Sequence, residues 1–403
     1  MSEEIKVYGY RWIVLMLFMF ANIMVQILWI SFATVTSVAA NFYNVDEFSI
    51  YLLSMSFMII YIPVTFLSAW LIDKYDFKLG TSIGVLFIII FGFLRVFTFK
   101  IYPIVLISQL GVAVGQPFLL NSVTKLSANW FPDNERTTAT GISLISVFIG
   151  VALGLFVTPY IVNLFTFQGM LNIYGISSLI IGIFYIVFIR NRPPTPPSKE
   201  QITEKVFVFE GFKKLFTDLN FWILIIAFLV GLGIFNTVLT IIEGIVMPRL
   251  PGITDTTYAG NFGLIILIGG IIGCFVISVL SDKYKKRKIL LIISIAIAAI
   301  ALLGITFVTN YTLLCVLGFI FGFGLVSASP VGLEYAAEAT KPVSEATSNG
   351  ILMMVGQIGG ILLIVGISDL KLPSGDYFPA LLLQSILLII VLILLIFLKK
   401  EKK

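Results

Sequence analysis

The sequence predicts an all-α membrane protein of twelve transmembrane helices, arranged as two pseudo-symmetric halves of six. Three observations predict this class: the composition, the spacing of the apolar segments and an internal repeat. Hydrophobic residues make up 59% of the 403 residues and charged residues only 12%, against about a quarter charged in an ordinary soluble domain. This composition favours a polytopic membrane protein and gives no reason to expect a nucleic-acid partner.

Apolar segments of roughly 20 residues, the length that crosses ~30 Å of hydrocarbon as a helix, recur along the whole chain. Six precede and six follow the longest polar stretch, 190–220, whose four early prolines exclude an interior helix. We therefore predict an N-terminal half at 1–190, a cytoplasmic linker at 191–220 with a short surface helix at 201–218, and a C-terminal half at 221–403. The predicted spans are 12–38, 49–72, 79–98, 102–125, 137–160, 169–189, 221–246, 259–281, 289–308, 311–333, 346–367 and 379–398.

The internal repeat relates the two halves. Residues 70–75 (WLIDKY) match residues 279–284 (VLSDKY), and residues 134–142 match residues 343–351. Both matches have the same offset of 209 residues and fall in the same loop of each half. Parallel duplication of a six-helix unit resembles the major facilitator superfamily, whose substrate site lies between the halves near mid-membrane.

The repeated aspartates also resemble a motif of that superfamily. Asp73 is followed by Lys74, and Asp282 by Lys283, at the predicted ends of the second and eighth spans. The resemblance implies a gating role, in which such charges hold the halves in the outward-open state. Ala69 departs from the motif, because a glycine is usual at its position. The alternative is that these are solvated loop charges with no gating role.

The distribution of Lys and Arg predicts the orientation, because cytoplasmic loops carry an excess of these residues. One set of loops is strongly basic, whereas the opposite set holds only Lys100, Arg249 and Lys371. We therefore expect both termini and the linker to be cytoplasmic. The N-terminal sequence lacks a cleavable signal pattern, and we expect a multi-pass monomer in the plasma membrane.

Polar residues inside the spans are the candidates for substrate contact, because they are costly there unless they serve packing or function. For any single Asn or Gln, a hydrogen bond between helices is as good an explanation as ligand binding. The candidates are Asn22, Gln26, Trp29 and Ser31 in the first span, Gln109, Gln116 and Asn121 in the fourth, Ser143 and Ser146 in the fifth, Asn236, Thr237, Thr240 and Glu243 in the seventh, and Asn349 and Gln357 in the eleventh.

Two ionisable residues are predicted to lie within the membrane. Arg95 falls near the end of the third span, where we expect its long side chain to extend to the interface. Glu243 is a candidate coupling site for a proton or another cation, or else an acid at the rim of the seventh span. The chain has no histidine and two cysteines in apolar runs, so we expect no metal or cofactor and no catalytic site.

A closer resemblance comes from the order and spacing of motifs over most of the chain. They resemble those of the feline leukaemia virus subgroup C receptor (FLVCR) transporters. The long terminal extensions of eukaryotic members do not occur in this sequence, which suggests a compact prokaryotic-type relative. The motifs are Arg11-Trp12, Trp29-Ile30, Leu53-Ser54-Met55, Tyr61-Ile62-Pro63, residues 70–73 (WLID), Gln116-Pro-Phe118, Asn129-Trp130-Phe131, residues 338–345 (EATKPVSE), Ser348-Asn-Gly350 and Gln357-Ile358.

This resemblance implies facilitated movement of choline- or ethanolamine-like amines across the bilayer. It further implies that Trp29 faces the ammonium group and that Gln357 lines the site. Two positions depart from the family, since Asn236 replaces a tyrosine and Phe148 replaces a glutamine. The alternatives are a proton- or sodium-coupled carrier or exporter of another metabolite, with haem disfavoured by the lack of histidine, and a non-transporting sensor or scaffold.

Overall fold

The computed structural model describes residues 7–197, 215–340 and 345–399. All regular secondary structure in these residues is helical, which confirms the predicted all-α class. The predicted surface helix at 201–218 lies almost entirely outside the described residues. The membrane-length helices are Tyr10–Ile30, Glu47–Leu94, Tyr102–Leu120, Asp133–Phe188, Leu219–Thr240, Thr257–Tyr284, Arg287–Phe307, Tyr311–Ala339, Glu345–Ser368 and Phe378–Ile396, and the shorter ones are Thr36–Tyr43, Val123–Trp130 and Ile242–Val246.

Two of these helices are too long for a single span. Glu47–Leu94 has 48 residues and Asp133–Phe188 has 56, whereas about 20 residues cross the hydrocarbon core. Each is interrupted by one non-helical residue, Asp76 with φ 70° and Thr166 with φ 66°. Each long helix therefore supplies two spans, and the ten membrane-length helices of the described residues supply the twelve predicted spans.

The internal repeat extends to the backbone at these interruptions. The residue 209 positions after Asp76 is Lys285, and the residue 209 positions after Thr166 is Gly375. Lys285 has φ 52° and Gly375 has φ 87°, so all four positions adopt positive φ. Because positive φ is uncommon for residues other than glycine, each half carries this uncommon φ at the same repeat positions. The turns are not identical, since ψ is 177° at Asp76 and 31° at Lys285.

The first and seventh spans are interrupted at equivalent places. The first helix ends at Ile30 and resumes at Thr36, and the seventh ends at Thr240 and resumes at Ile242. The prediction of one continuous first span over 12–38 is therefore wrong beyond residue 30. The Ser31 hydroxyl donates to the Leu28 carbonyl at 3.3 Å, and such side-chain bonds compete with the regular helix.

The chain divides into two compact units, each held together mainly by packing among its own helices. Unit 1 contains most of the first six spans, and unit 2 contains the last six. Unit 1 comprises Met1–Phe32, Ser37–Gly154 and Tyr160–Phe207, and unit 2 comprises Ala33–Thr36, Leu155–Pro159 and Val208–Lys403.

Candidate functional site

Trp29 lies in the last turn of the first helix and is 8% exposed. Its Nε1 donates a hydrogen bond of 3.2 Å to the carbonyl of Ser54 in the second span. The indole ring lies 6.5 Å from the ring of Phe57, tilted by 45°. The polar edge of the indole is thus satisfied by a backbone carbonyl, which fixes the ring and leaves its π face as the group available for a cation.

Gln26 lies one turn before Trp29 on the same helix and is buried. Gln116 of the fourth span donates from Nε2 to Gln26 Oε1 at 3.1 Å. Gln26 Nε2 and both amide atoms of Asn22 are buried and have no hydrogen-bond partner in the part of the chain that the structure describes. A buried amide without partners is costly, so this stretch of the first span retains free polar capacity near Trp29.

Asn236 and Gln357 form the corresponding pair in unit 2. Asn236 Nδ2 donates to Gln357 Oε1 at 3.4 Å, which joins the seventh and eleventh spans. The two helices approach closely because Gly233 and Gly359 face each other. A Cβ atom added at Gly359 would overlap the Leu229 carbonyl oxygen. Glycine at 359 therefore brings the two amides within hydrogen-bond distance.

Three further predicted site residues lie outside the Gln26–Gln116 and Asn236–Gln357 pairs. Asn121 donates from Nδ2 to the Thr65 carbonyl at 3.1 Å and to Ser68 Oγ at 2.8 Å, which holds the fourth span against the second. Phe148 is half-buried on the fifth span. Glu243 is 6% exposed and lies just after the interruption of the seventh span. Substrate contact by Asn121 and Phe148 stays a prediction, as does coupling through Glu243.

Arg95 does not extend to the interface, so that expectation is wrong. Its side chain is 0% exposed. The guanidinium donates to the Leu28 carbonyl at 2.7 Å and to Ser31 Oγ at 3.2 Å. It also donates to Gln109 Oε1. The interruption of the first helix leaves the Leu28 carbonyl oxygen there. This carbonyl, the Ser31 hydroxyl and the Gln109 amide replace the water that an interfacial arginine would bind.

The predicted gating residues differ in their surroundings. Asp73 is half-buried in the second span, and Lys74 lies 4.7 Å from the ring of Trp70. Asp282 is 74% exposed and lies 3.9 Å from Lys285. Lys283 lies near the ring of Tyr284, at 5.4 Å. Gating by these residues stays a prediction.

The sequence predicts that the second span ends at Asp73, but the helix of that span continues for three more residues to Asp76. Asp76 accepts hydrogen bonds from the Phe77 amide at 2.8 Å, from Asn129 at 3.1 Å and from Asn191 at 3.1 Å. Arg192 forms an ion pair with it at 2.6 Å. Burial by itself would raise the Asp76 pKa. The hydrogen bonds, together with the positive charges of Arg192 and Lys125, lower this pKa below the ordinary value. In the sequence, this cluster is indicated only by the second acid of residues 73–76 (DKYD), which is Asp76 itself.

The family model of the Major Facilitator Superfamily matches residues 12–363 and, in a second match, residues 237–403. The human choline/ethanolamine transporter FLVCR2 (Homo sapiens) is 28% identical over 382 residues, which covers 90% of this chain and 72% of that protein. Solute carrier family 49 member A3 of Xenopus tropicalis is 31% identical over 390 residues, which covers 92% and 80%.

Solved structures show the same fold at low sequence identity. A bacterial homologue of the human lysosomal transporter Spinster has a TM-score of 0.76 at 16% identity and covers 97% of each chain. The nucleoside transporter NupG has a TM-score of 0.74 at 16% identity and covers 96% of this chain and all of its own. The chain therefore belongs to the major facilitator superfamily, as a membrane transporter that resembles the FLVCR and solute carrier family 49 proteins.

Proposed function

We propose that this transporter moves a small amine of the choline and ethanolamine class across the membrane by alternating access. The observation that carries the proposal is the environment of Trp29, together with the similarity to choline/ethanolamine transporters of the FLVCR2 type. With its N–H bonded to Ser54, the indole has one unused property, the negative potential of its ring face. That face attracts a desolvated quaternary ammonium by about 2 kcal/mol or more.

The amide pair of unit 2 offers a donor that suits a substrate hydroxyl. Gln357 Oε1 accepts from Asn236, so its orientation is set and its Nε2 remains the donor for an oxygen on a ligand. The hydroxyl of choline or ethanolamine supplies such an oxygen. The proposal thus assigns to Gln357 the recognition of a substrate hydroxyl.

The departure at Asn236 changes how the cation would be held. A tyrosine at that position, as in the family, would add a second π face, whereas an amide adds none. We therefore propose that the ammonium depends on Trp29 more strongly here than where two aromatic rings share it. Phe148 is the remaining aromatic candidate for a second wall.

Uptake into proteoliposomes tests the substrate. Vesicles that contain the purified protein should take up labelled choline until it equilibrates. Trp29→Ala should lower the affinity roughly 30-fold, which corresponds to the loss of about 2 kcal/mol. Trp29→Phe should cost less, because phenylalanine keeps a weaker π face. Uptake is normalised to the protein in the vesicles. A wild-type rate of choline uptake by Trp29→Ala would refute the cation–π contact.

The proposal includes a plasma-membrane location, a monomer, and cytoplasmic termini and linker. Single cysteines read by an impermeant reagent test the orientation. Asn44→Cys and Ser374→Cys should react from outside intact cells, and Lys199→Cys should not. Reaction of Lys199→Cys in intact cells would reverse the predicted topology.

Glu243 favours a second candidate, an ion-coupled carrier, because an acid with 6% exposure in a membrane helix is a typical proton or cation site. An imposed pH gradient distinguishes the two. A facilitative carrier equilibrates choline at the same rate with and without the gradient. A coupled carrier concentrates its substrate only with the gradient, and Glu243→Gln abolishes that concentration.

A further inference from the structure

The interruption of the first span is held by a pair of polar residues, Arg95 and Gln109. Arg95 lies in the short turn Arg95–Phe97 that ends the third span, and Gln109 lies in the fourth span. Both are 0% exposed. The guanidinium of Arg95 donates to Gln109 Oε1 and also lies 5.4 Å from the ring of Phe32. We call these two residues the Arg95–Gln109 pair.

The pair converges on the residue that precedes Trp29. The Leu28 carbonyl accepts from Arg95 at 2.7 Å and from Gln109 Nε2 at 3.3 Å. Gln109 Nε2 is also 3.2 Å from the Leu53 carbonyl in the second span. The next carbonyl along that span, Ser54, is the one that accepts from the Trp29 indole. Four spans thus meet at the backbone on either side of the tryptophan.

The interruption explains why these donors are needed. The last carbonyls of a helix have no partner within the helix, and an unsatisfied backbone group inside a bilayer is costly. A cation also complements the negative end of the helix dipole. The three oxygens that accept from Arg95, those of Leu28, Ser31 and Gln109, are all neutral. The positive charge of Arg95 therefore complements the carboxyl end of the first helix, and it forms no ion pair with these three groups.

We infer that Arg95 and Gln109 are positioning residues, which fix the end of the first helix so that Trp29 presents its ring to the substrate. The inference rests on the proposed function for the substrate contact of Trp29. The fixing of the indole itself does not depend on which substrate is carried.

Unit 2 offers a matched control. Arg249 also has a buried side chain that caps the end of a helix, with donor bonds of 3.1 Å to the Ile305 carbonyl and 2.9 Å to the Val308 carbonyl. It additionally lies 3.5 Å from Asp376. Within the described residues, the hydrogen bonds of Arg249 go to backbone carbonyls and not to the amide pair of unit 2. Arg249→Met thus removes the same kind of helix cap and leaves the hydrogen bond between Asn236 and Gln357 in place.

The first readout is the environment of Trp29, measured without substrate. The chain has five tryptophans, so protein labelled with 5-fluorotryptophan gives five ¹⁹F resonances, and Trp29→Phe identifies one. Gln109→Leu and Arg95→Lys should shift or broaden the Trp29 resonance and leave the other four unchanged. Arg249→Met should leave the Trp29 resonance in place. An unchanged Trp29 resonance in both Gln109→Leu and Arg95→Lys would overturn the inference. The use of two variants keeps the test valid if one of them fails to fold.

The second readout is choline uptake, which links the position of the indole to function. Gln109→Leu should raise KM roughly fivefold, the effect of one lost hydrogen bond, at unchanged protein abundance and with kcat little altered. Arg249→Met should leave KM unchanged. A shifted Trp29 resonance with an unchanged KM would refute the link between indole position and substrate.

The two readouts separate the inference from the proposed function. If wild-type protein does not transport choline or ethanolamine but the Trp29 resonance still moves in Gln109→Leu, the substrate is wrong and the positioning role stands. If choline is transported and the Trp29 resonance does not move, the positioning role is wrong and the substrate stands.

Discussion

The turn after the second span and its repeat after the eighth span each contain a residue at positive φ, but they hold charges of opposite sign. Asp76 and Lys285, which are 209 residues apart, both adopt positive φ. In the first turn the charge with ion-pair and hydrogen-bond partners is the carboxylate of Asp76, whose side chain is 17% exposed. In the second it is the guanidinium of Arg287, whose side chain is 4% exposed, whereas the side chain of Lys285 is exposed to solvent.

One partner of each charge occupies a matching position, although the charges themselves do not, because the residue 209 positions before Arg287 is the exposed Lys78. Asn129 donates to Asp76 at 3.1 Å. The residue 209 positions later, Glu338, forms an ion pair with Arg287, and Glu334 adds a second at 2.9 Å. The repeat has thus preserved the position of one polar partner, Asn129 and Glu338, but neither the position nor the sign of the charge that this partner contacts. A buried charge is stable wherever its neighbours supply the opposite charge or enough hydrogen bonds.

The amino-terminal cluster differs in one further respect, because it reaches the beginning of the linker. Asn191 donates to Asp76 at 3.1 Å and accepts from the Lys78 amide at 2.9 Å. Arg192 completes the cluster with its ion pair. The first residues after the sixth span are therefore fastened to the turn between the second and third spans.

Arg287→Met tests the carboxy-terminal cluster and should have the largest effect. Removing one partner of a buried ion pair costs about 3–5 kcal/mol. Since Glu334 and Glu338 are each about half exposed, solvent screens them and we expect about 3 kcal/mol. Denaturation of purified protein in detergent measures this loss.

Lys285→Met is the matched control, because it removes an exposed cation from the same turn. Its stability should equal that of the wild type. An equal loss in both variants would show that the turn responds to net charge and not to the buried pair.

Asp76→Asn tests the amino-terminal cluster and should cost about 2 kcal/mol, the value of charged hydrogen bonds that become neutral. Asparagine has almost the same size and shape as aspartate, so the substitution places no new steric demand on the backbone at φ 70° and ψ 177°. The effect should depend on pH. Because the folded-state pKa of Asp76 is lowered, its stabilisation is complete above the ordinary carboxyl pKa of about 3.9 and is lost as pH falls through the folded pKa.

The pH dependence is measured as the difference in stability between wild type and Asp76→Asn from pH 7 downwards. The difference should shrink below pH ~4, the ordinary carboxyl range. The same series with Asp282→Asn, whose carboxylate is exposed, should show almost no difference at any pH. A difference for Asp76→Asn that stays constant into the acid range would exclude the ionised carboxylate as the stabilising species.

Asp73→Asn and Asp282→Asn should have the smallest effects on stability, and they extend the comparison of the two turns to gating. Asp73 is half-buried whereas Asp282 is exposed. If both aspartates bias the access equilibrium, Asp73→Asn should change it more, by roughly two- to fivefold in the labelling rate of a reporter cysteine. Substrate selectivity should be unchanged in both. A change in selectivity with unchanged labelling would rule out the gating role.

The spans, the duplication and the family could be predicted from the sequence, because each depends on local properties. A segment of about 20 apolar residues crosses the bilayer whatever its neighbours are, and the repeated WLIDKY and VLSDKY segments are visible without coordinates. Trp29 and Gln357 could be named from the sequence among the polar candidates inside the spans, but their roles toward an amine came only through the resemblance to a family.

The partner of each polar side chain, in contrast, depends on how the spans pack. Arg95 is expected at the interface and is instead buried against Leu28. The acid that binds Asn129 and Arg192 in the first turn is Asp76, which the sequence analysis does not single out. The physical reason is the same in both cases. A helix interruption releases carbonyls and creates a pocket of donors and acceptors from spans that are distant in sequence, and a buried charge takes its position from those groups. Hydropathy and spacing describe one span at a time, so they determine that a helix crosses the membrane but not what its polar residues will meet.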